Sequence, residues 1–99
     1  MLHIINKSFS ESLAMQECIK YLQSGCVILF IENAVYNAKI GTVSSLLESL
    51  PSEVNVYALH QDMQARGILE EDCYPFVKFI DYEGFVDLVE KNNPVRSWT

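Results

Sequence analysis

Cys26, Val27, Ile28, Leu29, Phe30 and Ile31 form six consecutive apolar residues, and the run stops at Glu32 and Asn33 before Ala34, Val35 and Tyr36. A strand with one solvated face alternates apolar and polar side chains, so an unbroken run of this length reads as a strand buried on both faces. Such strands belong to parallel sheets covered by helices on both sides. In those sheets the polar residues just past the carboxyl end of a strand line the crevice where ligands and partners dock. Glu32, Asn33 and Tyr36 are therefore the first candidate site residues.

Outward from this strand, helices and strands alternate. On the amino side, Leu2–Ile5 reads as a short apolar strand, and Ser8 with Glu11 three residues on is the reciprocal capping pattern of a helix start. That pattern predicts a helix over residues 10–22 with Ala14, Cys18, Tyr21 and Leu22 on one face, and Gly25 as a left-handed stop soon after. On the carboxyl side, Asn33 caps a short turn through Ala38. Gly41 interrupts it, and Thr42 starts a second helix with Val43, Leu46, Leu47 and Leu50 at helical spacing, ended by Pro51 and Ser52.

A third strand is predicted over 54–59, then a short helix over 62–66 ending at Gly67, an acidic loop over 68–75, and a fourth strand, Val77–Ile80. Asp81 is placed to cap a last helix in which Tyr82, Phe85, Val86 and Val89 repeat the helical spacing, and Asn92, Asn93 and Pro94 stop it. Strands alternating with helices over so short a chain predict right-handed βαβ units. The expected fold class is a small three-layer α/β domain over residues 1–99, its parallel sheet having four strands, or five if residues 95–98 pair at an edge.

Composition narrows the function classes. Ninety-nine residues, 49% of them hydrophobic, close a modest core with little stability to spare, so partner subunits would help. No apolar stretch approaches the roughly 20 residues that cross a bilayer, and the first residues lack a charged region followed by a long apolar one. A soluble cytoplasmic protein is the expectation. Three isolated cysteines argue against a disulfide framework, and Cys18, Cys26, Cys73, His3 and His60 show no metal-ligand spacing. The formal net charge is -6, with seven basic residues scattered singly against thirteen acidic ones, which speaks against direct nucleic-acid binding by this chain alone.

No Gly-rich phosphate loop follows the first strand, and no nucleophile elbow is present, so no cofactor site is expected. A reactive thiol needs a helix amino terminus or a nearby cation. Cys26, at the head of the buried strand, reads as a core residue. Cys73 follows Glu70, Glu71 and Asp72, is expected to be exposed, and is poorly activated because like charge opposes thiolate formation. Cys18 lies mid-helix on an apolar face, where a packed thiol competes with a sulfur-carrying role. Asp62 and Arg66 at i and i+4 form either a helical ion pair or a charge pair at a subunit contact. Trp98 is a costly residue for a free tail and is expected to pack on something, with a partner surface as the functional reading. His3 reads as a hydrogen-bonded structural histidine.

Several segments together resemble a known family. They are Leu2-His3-Ile4 with Asn6-Lys7-Ser8; Phe30-Ile31-Glu32-Asn33 with Val35-Tyr36 and Ala38; Val56-Tyr57-Ala58-Leu59 with Asp62 and Ala65-Arg66-Gly67; Ile80-Asp81-Tyr82 with Phe85-Val86 and Leu88; and Trp98. In this order and spacing they are similar to the DsrH/TusB family, over nearly the whole chain. The resemblance implies a small α/β subunit of the DsrE/DsrF/DsrH fold group, assembled with homologous DsrE/TusD-like and DsrF/TusC-like partners into a heterohexamer. In the TusB branch such a complex relays persulfide sulfur toward 2-thiolation of the tRNA wobble uridine, and in the DsrH branch it serves dissimilatory sulfur oxidation. The sulfur-carrying cysteine belongs chiefly to the DsrE/TusD-type partner, while Cys18 matches a cysteine in the first helix of DsrH-type members. Glu32, Tyr36, Asp62, Arg66 and Trp98 are the residues expected at partner interfaces, and Cys18 is the candidate catalytic thiol.

Overall fold

The computed structural model describes residues 1–41, 47 and 49–99. Five parallel strands form one sheet in the order β4-β3-β2-β1-β5: β1 Leu2–Ile5, β2 Val27–Phe30, β3 Asn55–Leu59, β4 Val77–Ile80 and β5 Val95–Trp98. The helices are α1 Ala14–Ile19, α2 His60–Ala65 and α3 Tyr82–Lys91, with 3-10 helices at Glu32–Ala38 and Glu70–Asp72. The segment 95–98 does pair at the edge, Leu2 with Val95 through Ile5 with Trp98.

The unbroken apolar run of β2 is explained by what covers it. Ile28 and Phe30 point into one core cluster with Ala14, Met15 and Cys18 of α1, Ala34 and Val35 of the 3-10 helix, and Met63 of α2. Val27 and Leu29 point into a second cluster with Leu2 and Ile4, against which Phe85 and Leu88 of α3 pack. Each strand residue therefore needs an apolar side chain whichever way it faces.

Several sequence expectations are corrected. α1 starts at Ala14, because Ser8 and Glu11 close a turn of their own: the Ser8 N–H donates to Glu11 Oε1 at 3.0 Å and the Glu11 N–H to the Ser8 carbonyl at 3.0 Å. The Phe9 N–H is bound by Asn37 Oδ1 at 2.8 Å, which ties this segment to the 3-10 helix instead. Tyr21 is exposed rather than part of the buried face. Cys73 is buried, not exposed, because residues 39 and 73 form an antiparallel bridge flanked by Ile40 N–H to Asp72 carbonyl and Tyr74 N–H to Ala38 carbonyl bonds, both 3.0 Å. α2 begins at His60, directly after β3. The helix expected from Thr42 lies largely outside the described residues.

The last helix behaves as its cap predicts, the Asp81 Oδ1 accepting the Gly84 N–H at 2.9 Å. Its apolar positions divide, however. Phe85 and Leu88 face the sheet, whereas Tyr82, Val86 and Val89 are exposed. Gly84 sets this rotation, since a Cβ there would lie 2.9 Å from Ile80 Cβ.

Trp98 is buried inside its own chain. Its Nε1–H donates to His3 Nδ1 at 3.0 Å, and the Arg96 guanidinium stacks 4.0 Å from the indole centroid. The expected aromatic tail facing a partner is thereby corrected: edge pairing of β5 turns the indole onto the β1 histidine. With Nδ1 accepting, Nε2 carries the proton of a neutral imidazole, and it has no partner among the described residues. Burial, and the positive charge of Arg96 among other groups, push the His3 pKa below its ordinary value. The unfolded chain then binds this proton more readily than the folded one, so the contribution of His3 is complete above about pH 6.5 and is lost as pH falls from there toward the lowered folded value. Urea midpoints should drop between pH 7.5 and 5.5, and a His3→Phe variant should lose less stability over that interval. Equal losses in both proteins would assign the acid sensitivity to other groups.

Candidate docking crevice

Glu32 follows β2 with φ 51, in the left-handed region that a non-glycine residue occupies at a steric cost of roughly 1 to 2 kcal/mol. Its N–H donates to Asp62 Oδ2, on the first turn of α2, at 2.6 Å. Arg66, on the last turn, donates from Nε to Asn33 Oδ1 at 2.8 Å and from Nη1 to the Asp62 carbonyl at 3.1 Å. Asn33 donates in turn to Glu11 Oε2 at 3.2 Å. The backbone hydrogen bond from Ser8, with further bonds from Ser8 and Asn33, holds the Glu11 carboxyl below its ordinary pKa.

The result is a continuous chain of hydrogen bonds from Ser8 through Glu11, Asn33, Arg66 and Asp62 to Glu32, spanning the carboxyl ends of β1, β2 and β3. The expected helical ion pair is corrected. The Asp62 carboxylate turns to the Glu32 N–H, and Arg66 reaches its backbone carbonyl instead. Both side chains are half-buried and engaged. Tyr36 is exposed and, with Phe9 and Lys39, lines a pocket of about 520 Å³ whose floor includes Glu11 and Asn33. Sequence reasoning placed Glu32, Asn33, Tyr36, Asp62 and Arg66 here, and the fold does bring the last two beside the first two. It missed Glu11, whose visible signal was a helix cap, and Lys39. Trp98 lies away from the group.

All strands run parallel, and the order in which they are added to the sheet reverses between β1 and β5, one strand away from Glu32. That position is marked by Asn6, whose N–H donates to the Trp98 carbonyl at 3.4 Å. Glu11, Asn33, Asp62 and Arg66 are held by mutual bonds, whereas the Tyr36 phenol stands exposed on the pocket wall. All three thiols lie elsewhere, free and buried. Cys18 is pushed up to about 12, chiefly by burial and further by Cys26, with Arg96 opposing weakly. Burial also raises Cys73, with Asp72 and Glu70 adding to it. Among the described residues there is no cluster suited to a metal ion and no helix long and apolar enough to cross a membrane.

Residues 7–95 match the family described as DsrH like protein. The chain belongs to the DsrH family. Protein TusB of Buchnera aphidicola subsp. Baizongia pistaciae is 40% identical to this DsrH-family chain over 98 residues, covering 99% of it and all of the relative. Protein TusB of Escherichia coli O1:K1 is 32% identical over 104 residues, again covering 99% of this chain and all of the relative. The solution NMR structure of protein Tm0979 from Thermotoga maritima superposes with a TM-score of 0.65 at 27% identity, covering 93% of this chain and 94% of that one. The DsrH-family membership and the parallel α/β sheet agree with the expectations drawn from the sequence.

Proposed function

We propose that this DsrH-family chain is a largely non-catalytic subunit of a sulfur-relay complex, akin to TusB, that completes and positions a persulfide site carried by a homologous DsrE/TusD-like partner. The DsrF/TusC-like subunit is the second partner, the assembly is cytoplasmic, and the sulfur is destined for 2-thiolation of the tRNA wobble uridine. The observation that carries the non-catalytic reading is Cys18: fully buried at the carboxyl end of α1, away from the favourable end of the helix dipole, and with its pKa pushed up to about 12, it has almost no thiolate at neutral pH. Full-length similarity to proteins named TusB supports the choice of pathway.

The experiment is complementation. Cells lacking the chain should lose wobble 2-thiouridine, measured in hydrolysed tRNA, and regain it with the parent gene. Cys18→Ser should restore it nearly as well, at some cost in stability because a hydroxyl replaces a buried thiol. Persulfide on Cys18 by intact mass, with loss of thiolation in Cys18→Ser despite normal assembly, would instead make this chain a sulfur carrier of the DsrH type. The lone chain is also expected to bind tRNA negligibly at physiological salt, since seven scattered cations against thirteen acids give no cluster of phosphate contacts. Micromolar affinity in a mobility-shift titration would contradict this.

A further inference from the structure

We propose that the outer face of α3 is a second docking surface, and that its occupant is a different protein subunit presenting an apolar ridge flanked by lysine or arginine. This rests on the reading of the chain as part of a hetero-assembly. Tyr82, Val86 and Val89 stand at i, i+4 and i+7 on α3 and are 55%, 54% and 40% exposed, although the helix already satisfies its own packing through Phe85 and Leu88. Three large apolar groups in one line on a ten-residue helix are not needed to hold that helix down.

A parallel line of acids runs beside them. Glu83, Asp87 and Glu90 follow each apolar residue by one position, about 100° around the helix, are exposed, and have no ion-pair partner among the described residues. Tyr82, Glu83, Val86 and Asp87 enclose a hollow of about 390 Å³ in which the two lines meet. Val95, also exposed, lies on the same side of the sheet as α3, since its register partner Leu2 packs in the α3 cluster.

The acids select the occupant. Nucleic acid and anionic membrane surfaces are repelled by them. A second copy docking antiparallel about a twofold axis would bring both acidic lines to the same side of the contact, where like charges oppose each other. A partner with an apolar ridge and a basic flank meets both lines at once, the ridge supplying burial and the flank supplying register and salt-dependent attraction.

The test co-expresses the chain with the DsrE-like and DsrF-like subunits and measures association at several salt concentrations. Val86→Glu and the double variant Glu83→Lys, Asp87→Lys should each weaken association about tenfold or more, because each removes one of the two lines. Association of the parent should weaken as salt rises, and melting of the lone variants should match the parent because these side chains are exposed. Variants that assemble like the parent would overturn this surface while leaving the hetero-assembly standing. A parent that never assembles would remove the hetero-assembly and this surface with it. A lone chain that dimerises, and becomes monomeric in Val86→Glu, would show a second copy as occupant and overturn the proposal.

Discussion

Trp98→Ala is expected to destabilise the chain by about 3 to 5 kcal/mol, the usual cost of deleting a buried aromatic side chain and leaving its volume unfilled. That is a large share of the roughly 5 to 15 kcal/mol available to a domain. The loss has two parts here. The indole covers one flank of His3 and carries the Arg96 guanidinium, and its N–H is the donor to His3 Nδ1. Trp98→Phe separates them: most of the ring area survives, and the buried imidazole nitrogen loses its partner at about 1 to 3 kcal/mol. Chemical denaturation of both variants checks the ordering. A Trp98→Ala midpoint within error of the parent would show that β5 contributes nothing to the cooperative unit.

Arg66→Glu is expected to abolish co-purification with the partner subunits, since breaking one side of a desolvated interfacial charge contact costs about 2 to 5 kcal/mol of association. It cannot be neutral for the fold, as a purely exposed residue would be. Arg66 fastens Asn33 to Asp62, and a carboxylate there would face Asn33 Oδ1 and the Asp62 carbonyl, acceptors with nothing to offer it. A loss of about 1 to 3 kcal/mol in the lone chain is therefore expected alongside. Tyr36→Ala separates docking from folding, because the phenol is exposed on the pocket wall. Weakened assembly with unchanged melting in that variant would mark the crevice as a contact. Normal assembly of both variants would place the contact elsewhere.

The features readable from the sequence were those whose cause is local. β2 declared itself because burial on two faces leaves no polar position, and Asp81 because a cap acts within one turn. Only half of the reciprocal Ser8 and Glu11 pattern forms: the Glu11 carboxylate accepts the Ser8 N–H, but the Glu11 N–H goes to the Ser8 carbonyl, closing a turn, and the Phe9 N–H between them is held by Asn37, 28 positions further on. Cys73 owes its burial to a bridge with Lys39, and Asp62 turns from Arg66 because the Glu32 N–H, 30 positions distant, reaches it first. Trp98 was rightly judged too large for a free tail, but its partner is His3, at the other end of the chain. Pairings between distant segments decide these cases, and no spacing rule within one element contains them.

The position of β5 also bears on the order in which the chain organises itself. β1 sits between β2, its neighbour in the chain, and β5, whose Trp98 meets His3 across 95 positions of sequence. Closing so long a loop carries a greater entropic cost than joining β1 to β2, so the first four strands are expected to gain contacts before the fifth. Until that last strand arrives, one edge of β1 is an open ladder and the flank of His3 is uncovered. Contacts made this late weigh on unfolding rather than on folding, and Trp98→Phe should accordingly shorten the lifetime of the native state while hardly slowing its formation.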